Sequence, residues 1–411
     1  MIKFSIIIFF IVCTLQSNGQ IRFWSDFEGG NGMLVKKDSI HNSVEIETEL
    51  KPDNTINAWL YFAISGYPKN TMLTIKLTFE NYFYYVPSDP CISYDNQHWE
   101  KPEFIFNNLN SYRNYREFKI IPEKDTIYFA SFYPYTYSKL MSYVSSKYEN
   151  HNLDTATLSF SEENRTIPYF KIKNITESDS DKWLIWIIGR QHAFEVAGSY
   201  FIEGIVDFFS SDDSLANNFR SKAIVYVVPM MDVDNVYEGA SGKNQFPIDF
   251  NRDYNDTSYW KATRSLRKKM LETTHRNHLT MAIDVHSPYP GNSEGSDYYH
   301  SHYFNIYGDK HYKASRVRNF MAIFHNMERY KTFEVLDTVV NDGRTCFDQF
   351  IDNQDCRRFG TMCNDFILFS TTYEQAFCKH PNGESWTDEK VRMSGYNYAK
   401  SIAVYLYNTS K

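Results

Sequence analysis

The period of the hydrophobic pattern changes near residue 127, and the change divides the chain. Before it, VEIETEL (44–50), AWLYFAIS (58–65), MLTIKLTF (72–79) and REFKIIP (116–122) alternate or run apolar with β-branched and aromatic residues. Each stretch predicts a strand, and breaks such as Pro52-Asp53-Asn54 predict the turns between them. A small antiparallel sandwich is the expected result. After it, TIYFASFYPYTYSKLMSYVSSKY predicts a strand, an aromatic turn and an amphipathic helix. Apolar strands at 183–189, 223–229, 279–285 and 366–373 then alternate with helices running to 209, at 259–274 and at 314–330. That order belongs to an α/β sheet, whose sites gather at the carboxyl ends of its strands. The predicted domains are 20–127 and 128–411, which suits a chain of 411 residues, longer than one core usually serves.

At the N-terminus Lys3 precedes an apolar run over 4–12, and Ser17, Asn18 and Gly19 offer a cleavage site before Gln20. This pattern predicts a signal peptide over 1–19 and a secreted or periplasmic, extracellular protein. The run is shorter than the ~20 apolar residues a bilayer requires, and no later run approaches that length, so no membrane span is expected in the mature chain. Cys13 suggests a lipid anchor, but Val12 before it is bulkier than the small residue such a site prefers. A net charge of −7 without any basic block argues against nucleic acid as a partner. Trp24, Trp59 and Trp99 raise the idea of a glycan-binding face, although aromatics at strand spacing are more often core. Cys346, Cys356, Cys363 and Cys378 crowd the C-terminal part. In an oxidising compartment they predict one or two disulfides of open pairing, and without a C-x2-C pair they make a poor zinc site.

Chemistry enters at WLIWIIGRQHAFEVAGSYFIEGIVDFF (183–209), where His192 and Glu195 follow a strand at the turn into a helix. Zinc takes neutral nitrogen and anionic oxygen at about 2 Å, and catalytic sites leave one coordination place open, so this pair reads as half a zinc site. The same spelling at His325 and Glu328 lies inside a helical pattern with no strand before it and reads as helix surface. His286 ends the apolar strand LTMAIDVH before Pro288 and Pro290, and is the candidate third ligand. In FPIDFNRDY the fork of Arg252 suits a free carboxylate, Asn251 adds a hydrogen bond, and Asp249 can accept a proton from a ligating histidine. Glu374 ends the strand FILFSTTYE, where it is either a general base or half of a buried ion pair with Arg252 or a lysine.

With His192-x-x-Glu195, Asn251-Arg252, His286 and Glu374 in this order, the C-terminal two thirds resembles the zinc carboxypeptidase family. Phe132-Tyr133-Pro134-Tyr135-Thr136-Tyr137 is similar to the aromatic junction that follows the N-terminal β-domain in its cytosolic-carboxypeptidase-like branch. The resemblance implies a mixed-sheet α/β catalytic domain preceded by a small all-β sandwich. It implies one Zn2+ per chain bound by His192, Glu195 and His286, with Asp249 behind a ligand, Asn251 and Arg252 on the substrate's terminal carboxylate, and Glu374 as the base activating a zinc-bound water. The expected substrate is a peptide or protein C-terminus. Two departures stand out. Asp232-Val233-Asp234-Asn235 occupies the place of the family's Asn-Pro-Asp-Gly, and no arginine lies between Asp234 and Asp249 to stabilise an oxyanion, which leaves Lys243 for that role. Arg357 and Arg358 suggest a preference for a terminal acidic residue. Two other readings stay open: a zinc amidase or deacylase acting on acyl amino acids or cell-wall peptides, and a non-catalytic glycan- or peptide-binding protein whose Asp-Val-Asp-Asn stretch marks a lost enzyme.

Overall fold

A computed structural model describes residues 20–79, 86–110, 113–174, 176–274, 279–289, 303–305, 311–328, 369–377 and 384–409. Among these, two five-stranded sheets form the N-terminal half. One has the order Arg22–Trp24, Tyr61–Ser65, Thr126–Ala130, Cys91–Ser93, Trp99–Glu100; the other has Met33–Asp38, Ser43–Glu47, Leu73–Thr78, Tyr115–Ile120, Phe106–Asn110. The alternation read from the sequence is the alternation of burial: Leu73, Ile75 and Leu77 point inward, as do Val44 and Ile46. One expectation needs correction. Ser43–Glu47 and Leu73–Thr78 pair in parallel, so this sandwich is not purely antiparallel. Between them the chain crosses into the other sheet as Tyr61–Ser65, and that crossover returns it running the same way.

Tyr61–Ser65 also joins the two halves, because it is buried on both faces. Phe62 and Ile64 enter the sandwich core, where Phe62 stacks on Phe129 at 5.1 Å between ring centres. Tyr61 faces the opposite way, into a core shared with Phe132, Tyr135 and the strands of the second half. Trp59 lies in that shared core, 5% exposed, with its indole N–H donating to the Gly29 carbonyl at 2.8 Å. A sugar-stacking face built on Trp59 is therefore excluded; Trp24 and Trp99 are half-buried, edge-on to Tyr128 and Tyr61. Polar contacts tie the halves as well, with the Asn31 amide donating to the Gly239 carbonyl at 2.9 Å and the Asn54 amide to Asn235 Oδ1 at 3.0 Å.

The second half is organised on a seven-stranded sheet of order Leu153–Phe160, Thr166–Ile172, Ala223–Val228, Trp183–Gly189, Leu279–His286, Phe369–Glu374, Tyr303–Asn305. The four strands from Ala223–Val228 to Phe369–Glu374 are parallel, and the outer pairings are antiparallel, which makes the sheet mixed. The apolar runs at 183–189 and 223–228 are wholly or almost wholly buried, as expected of strands covered on both faces. Helix Val196–Phe209 packs on the C-terminal helix Asp388–Thr409. Their crossing rests on two glycines: a Cβ on Gly204 would lie 1.8 Å from the Arg392 carbonyl oxygen, and one on Gly395 1.8 Å from that of Phe201. Among the described residues no helix is long and apolar enough to cross a membrane. Cys91 is a buried free thiol, and the other four cysteines of the predicted mature chain lie outside the described residues.

Candidate metal centre

The parallel strands end in step. Gly189 pairs with Val285, Val285 with Tyr373, and His286 with Glu374, so the turn after Gly189, His286 and Glu374 share one edge of the sheet. Arg190 leaves the strand at φ +55 and is buried. Its guanidinium donates to the Ala193 carbonyl at 2.7 Å and to Ser199 Oγ at 2.8 Å, which bends the chain back and turns His192 and Glu195 inward. Burial lowers the Arg190 pKa to about 10, and nearby Glu195 counters that shift.

His192 presents Nδ1 to Glu195 Oε1 at 2.7 Å, and His286 presents Nδ1 to Glu195 Oε2 at 2.8 Å. Candidate ligand atoms of these three side chains all lie within 4.8 Å of one another, the sole such grouping among the described residues. Two imidazole nitrogens and one carboxylate match the donor set of a catalytic zinc site. Each ring's other nitrogen meets a further carboxylate: His192 Nε2 lies 3.1 Å from Asp249 Oδ1, and His286 Nε2 lies 2.8 Å from Asp284 Oδ2. Burial works against ionising Glu195, but His286 and His192 outweigh it and lower its pKa to about 2. Burial and Lys243 pull His192 down, whereas Glu195 and Asp249 raise it more; burial likewise opposes Asp284 and Glu195 at His286, whose pKa is raised well above the usual value. Three buried carboxylates thus surround two rings, an environment that favours a dication.

Asp249 caps the short helical turn Phe250–Arg252, accepting from Asn251 N at 2.8 Å, while its other oxygen accepts from Asn244 N at 2.8 Å. At the far end of the turn Asp253 accepts from Tyr259 N and Trp260 N at 2.7 and 2.9 Å, ahead of helix Lys261–Thr274. Arg252 is exposed and donates to the Asn251 carbonyl at 3.1 Å, with no acidic partner among the described residues. A loop salt bridge is therefore not its role here. Lys243 lies with its ammonium 3.4 Å from His192 Nε2, beside the outer nitrogen of the ring and not on the Glu195 side. Gly242 before it, at φ +70, allows the close approach: a Cβ there would meet Asp232 Oδ2 at 2.3 Å.

Glu374 is half-buried as a residue, but its Oε2 is buried without a hydrogen-bond partner among the described residues. Burial raises its pKa to about 7, against the attraction of His286. No ion pair to Arg252 or a lysine accompanies it among the described residues. Tyr373 turns the other way, fully buried and stacked on Phe201. Asp232, far from marking decay, caps helix Val233–Glu238 through Asn235 N at 3.3 Å, and Asp234 pairs with Arg165 at 2.7 Å. His325 and Glu328 sit at the end of helix His311–Met327, apart from the cluster; Glu328 is buried instead of lying on the helix surface. Arg357 and Arg358 lie outside the described residues. A cavity of about 850 Å³ borders the Asp249–Arg252 turn through Gln245 and Phe250, yet none of His192, Glu195, His286 or Glu374 lines it, so donor chemistry and not cavity size marks the site.

Three buried groups at the centre were not anticipated. The Gln191 amide donates to Asp284 Oδ2 at 2.6 Å, and the Tyr254 hydroxyl donates to Gln191 Oε1 at 2.8 Å. A carboxylate two residues before His286, in an otherwise apolar strand and hence on the same face, was the available signal.

The profile described as "Zinc carboxypeptidase" matches residues 137–347, just over half of the chain. The chain belongs to that family. Zinc carboxypeptidases are zinc-dependent peptide hydrolases, and the His-Glu-His cluster fits the metal. Residues 23–132 match the domain described as "Cytosolic carboxypeptidase N-terminal domain". Among curated relatives, human "Cytosolic carboxypeptidase 6" is 25% identical over 96% of this chain and 74% of its own length. The mouse protein of that name is 25% identical over 69% of this chain, which spans only 46% of it. "Cytosolic carboxypeptidase 2" of Xenopus tropicalis is 27% identical, and 30% of its length is spanned. A metallo-carboxypeptidase structure from Burkholderia cenocepacia has a TM-score of 0.78 at 17% identity, covering 95% of this chain and 100% of that one. One from Pseudomonas aeruginosa, in complex with (2-guanidinoethylmercapto)succinic acid, has 0.76 at 18% identity, covering 94% and 99%. Such structural likeness shows the fold alone. The relatives also correct one expectation. They are named cytosolic, which contradicts the secreted or periplasmic location read from the N-terminus and gives the expected signal peptide no support. One lysine before a short apolar run is a local pattern of few residues, and it does not outweigh the names of relatives matched over most of the chain.

Proposed function

We propose that this zinc carboxypeptidase removes a C-terminal amino acid from peptides or protein C-termini, with His192, Glu195 and His286 holding the metal. When bound, zinc supplies a Lewis acid that polarises the scissile carbonyl and makes water more acidic. Arg252 pairs with the substrate's terminal carboxylate and Asn251 adds a hydrogen bond, a role suited to a guanidinium left exposed without an acidic partner among the described residues. Glu374 takes the proton of the attacking water and returns it to the leaving amine. A carboxyl with a pKa near 7 is poised both to accept and to donate at neutral pH. Asp249 accepts the Nε2 proton of His192 and so keeps Nδ1 turned to the metal. Lys243 offers positive charge to the developing oxyanion, for which its side chain must swing from His192 Nε2 toward the carbonyl.

The observation that carries this reading is the convergence of the three ligand side chains at neighbouring strand ends, with Glu374 in register beside His286. A panel of peptides differing in the C-terminal residue, each also with an amidated C-terminus, tests it. Release of single C-terminal residues is expected, stopped by a chelator and by amidation. Glu374→Gln should keep its zinc and lose about 10²–10⁴-fold in kcat. His192→Ala should lose the metal, and Lys243→Met should lower kcat more than it changes KM. Undiminished cleavage of amidated peptides, or full turnover by Glu374→Gln, would contradict the mechanism.

A further inference from the structure

The polar groups at the centre form one continuous buried chain. From Asp249 it runs through His192, Glu195 and His286 to Asp284, and then through Gln191 to Tyr254. Gln191, Asp284 and Tyr254 are each fully buried, 0% exposed. The chain therefore leaves the Asn251–Arg252 turn at Asp249, crosses the metal site, and re-enters the same segment at Tyr254, closing a loop.

We infer that Asp284, held by Gln191 and Tyr254, is a positioning residue that fixes the His286 ring with Nδ1 toward the metal and couples the metal site to the carboxylate-binding turn. The inference rests on His286 being a ligand. An imidazole carries its proton on one nitrogen and ligates through the other, so whichever group accepts that proton sets the orientation. Asp284 Oδ2 lies 2.8 Å from Nε2, leaving Nδ1 for Glu195 and the metal. Strand geometry makes the contact rigid, because residues two apart share a face and Asp284 sits two before His286 in Leu279–His286. Gln191 supplies a restraint from a second element. Its amide N–H donates to the same Asp284 oxygen, and its carbonyl is pinned by the Tyr254 hydroxyl, so the carboxylate cannot rotate without breaking a buried hydrogen bond. Since Tyr254 lies two residues after Arg252, a shift of that turn on binding a substrate carboxylate is transmitted to His286 through three side chains, Tyr254, Gln191 and Asp284.

The test measures zinc affinity by competition with a chromophoric chelator, on full-length protein whose fold is checked by circular dichroism and the melting temperature of the metal-free form. Asp284→Ala should still take one zinc per chain at saturation but bind it roughly 10–100-fold more weakly. Asp284→Asn, nearly isosteric and still able to accept a hydrogen bond through its amide oxygen, should fall between it and the parent. Tyr254→Phe removes one hydroxyl and should weaken zinc a few-fold while raising KM more than it lowers kcat, a split that simple loss of packing does not produce. Parent-like zinc affinity in Asp284→Ala and Asp284→Asn, with His286→Ala losing the metal, would overturn the positioning role and leave the ligand assignment standing. Parent-like zinc binding by His286→Ala would instead overturn the ligand assignment, and the inference with it.

Discussion

Burial pushes two carboxyls near this site in the same direction, toward a raised pKa, and their partners decide the outcome. Glu195 meets two imidazoles and stays ionised, whereas Asp232 meets chiefly Asn235 and burial raises its pKa to about 7. A carboxyl whose folded pKa exceeds its unfolded one is tolerated while neutral. Its contribution is whole below the unfolded value of 3.8 and is lost as pH climbs through about 7, a swing on the order of 4 kcal/mol. Asp232→Asn keeps an acceptor for the cap and removes the charge. It should therefore melt higher than the parent at pH 8, and the advantage should shrink toward pH 4. Parallel melting curves of the two proteins across that range would show that Asp232 ionises freely. Residue identity alone made His192, Glu195, His286, Asn251, Arg252 and Glu374 legible as candidates, because few residue types do this chemistry. The same level hid Asp284 and Gln191, whose importance comes from which ring and which carboxylate they touch.

At the scale of elements, the four central strands were legible as strands because short, mainly apolar runs of seven or so residues between helical patterns have few other uses, whereas their order in the sheet was not read. Among the elements missed were Leu153–Phe160, Thr166–Ile172 and the C-terminal helix. The first of these strands is partly exposed, so its pattern resembles that of a loop, and the helix is long and half polar. The helix crossing depends on close backbone approach, which periodicity does not report. Gly204→Ala improves intrinsic helix propensity by up to about 1 kcal/mol, yet its methyl collides with the backbone of the partner helix. Overpacking of this kind typically costs about 1–3 kcal/mol, so the variant should be less stable in urea despite its better propensity. A midpoint equal to or above the parent's would mean that the helices separate freely.

For the whole molecule, the metal and the fold are separable. The sheet stands on apolar strands and helices, while the cluster occupies one edge of it. Removing zinc with a chelator should leave far-ultraviolet circular dichroism unchanged and lower the melting temperature, since a ligand that binds only the folded state adds about 2.7 kcal/mol at a free concentration one hundred times Kd. Unfolding on chelation, or no change in melting, would each break that separation. The two halves are not separable in this way: Tyr61–Ser65 serves both cores, and Asn31 and Asn54 bond across the junction.

The amino-acid sequence by itself determined the two-part order, the central strands and the set of chemically competent side chains, because periodicity and residue chemistry are local properties. Only the tertiary structure decided how closely His192 and Glu195 approach His286, that Ser43–Glu47 and Leu73–Thr78 run parallel, and that Lys243 rests against the outer nitrogen of His192. Those outcomes depend on where strands lie in a sheet and how closely backbones pass, distances set by packing between residues far apart in the chain. The compartment lay outside both, since it is read by other proteins.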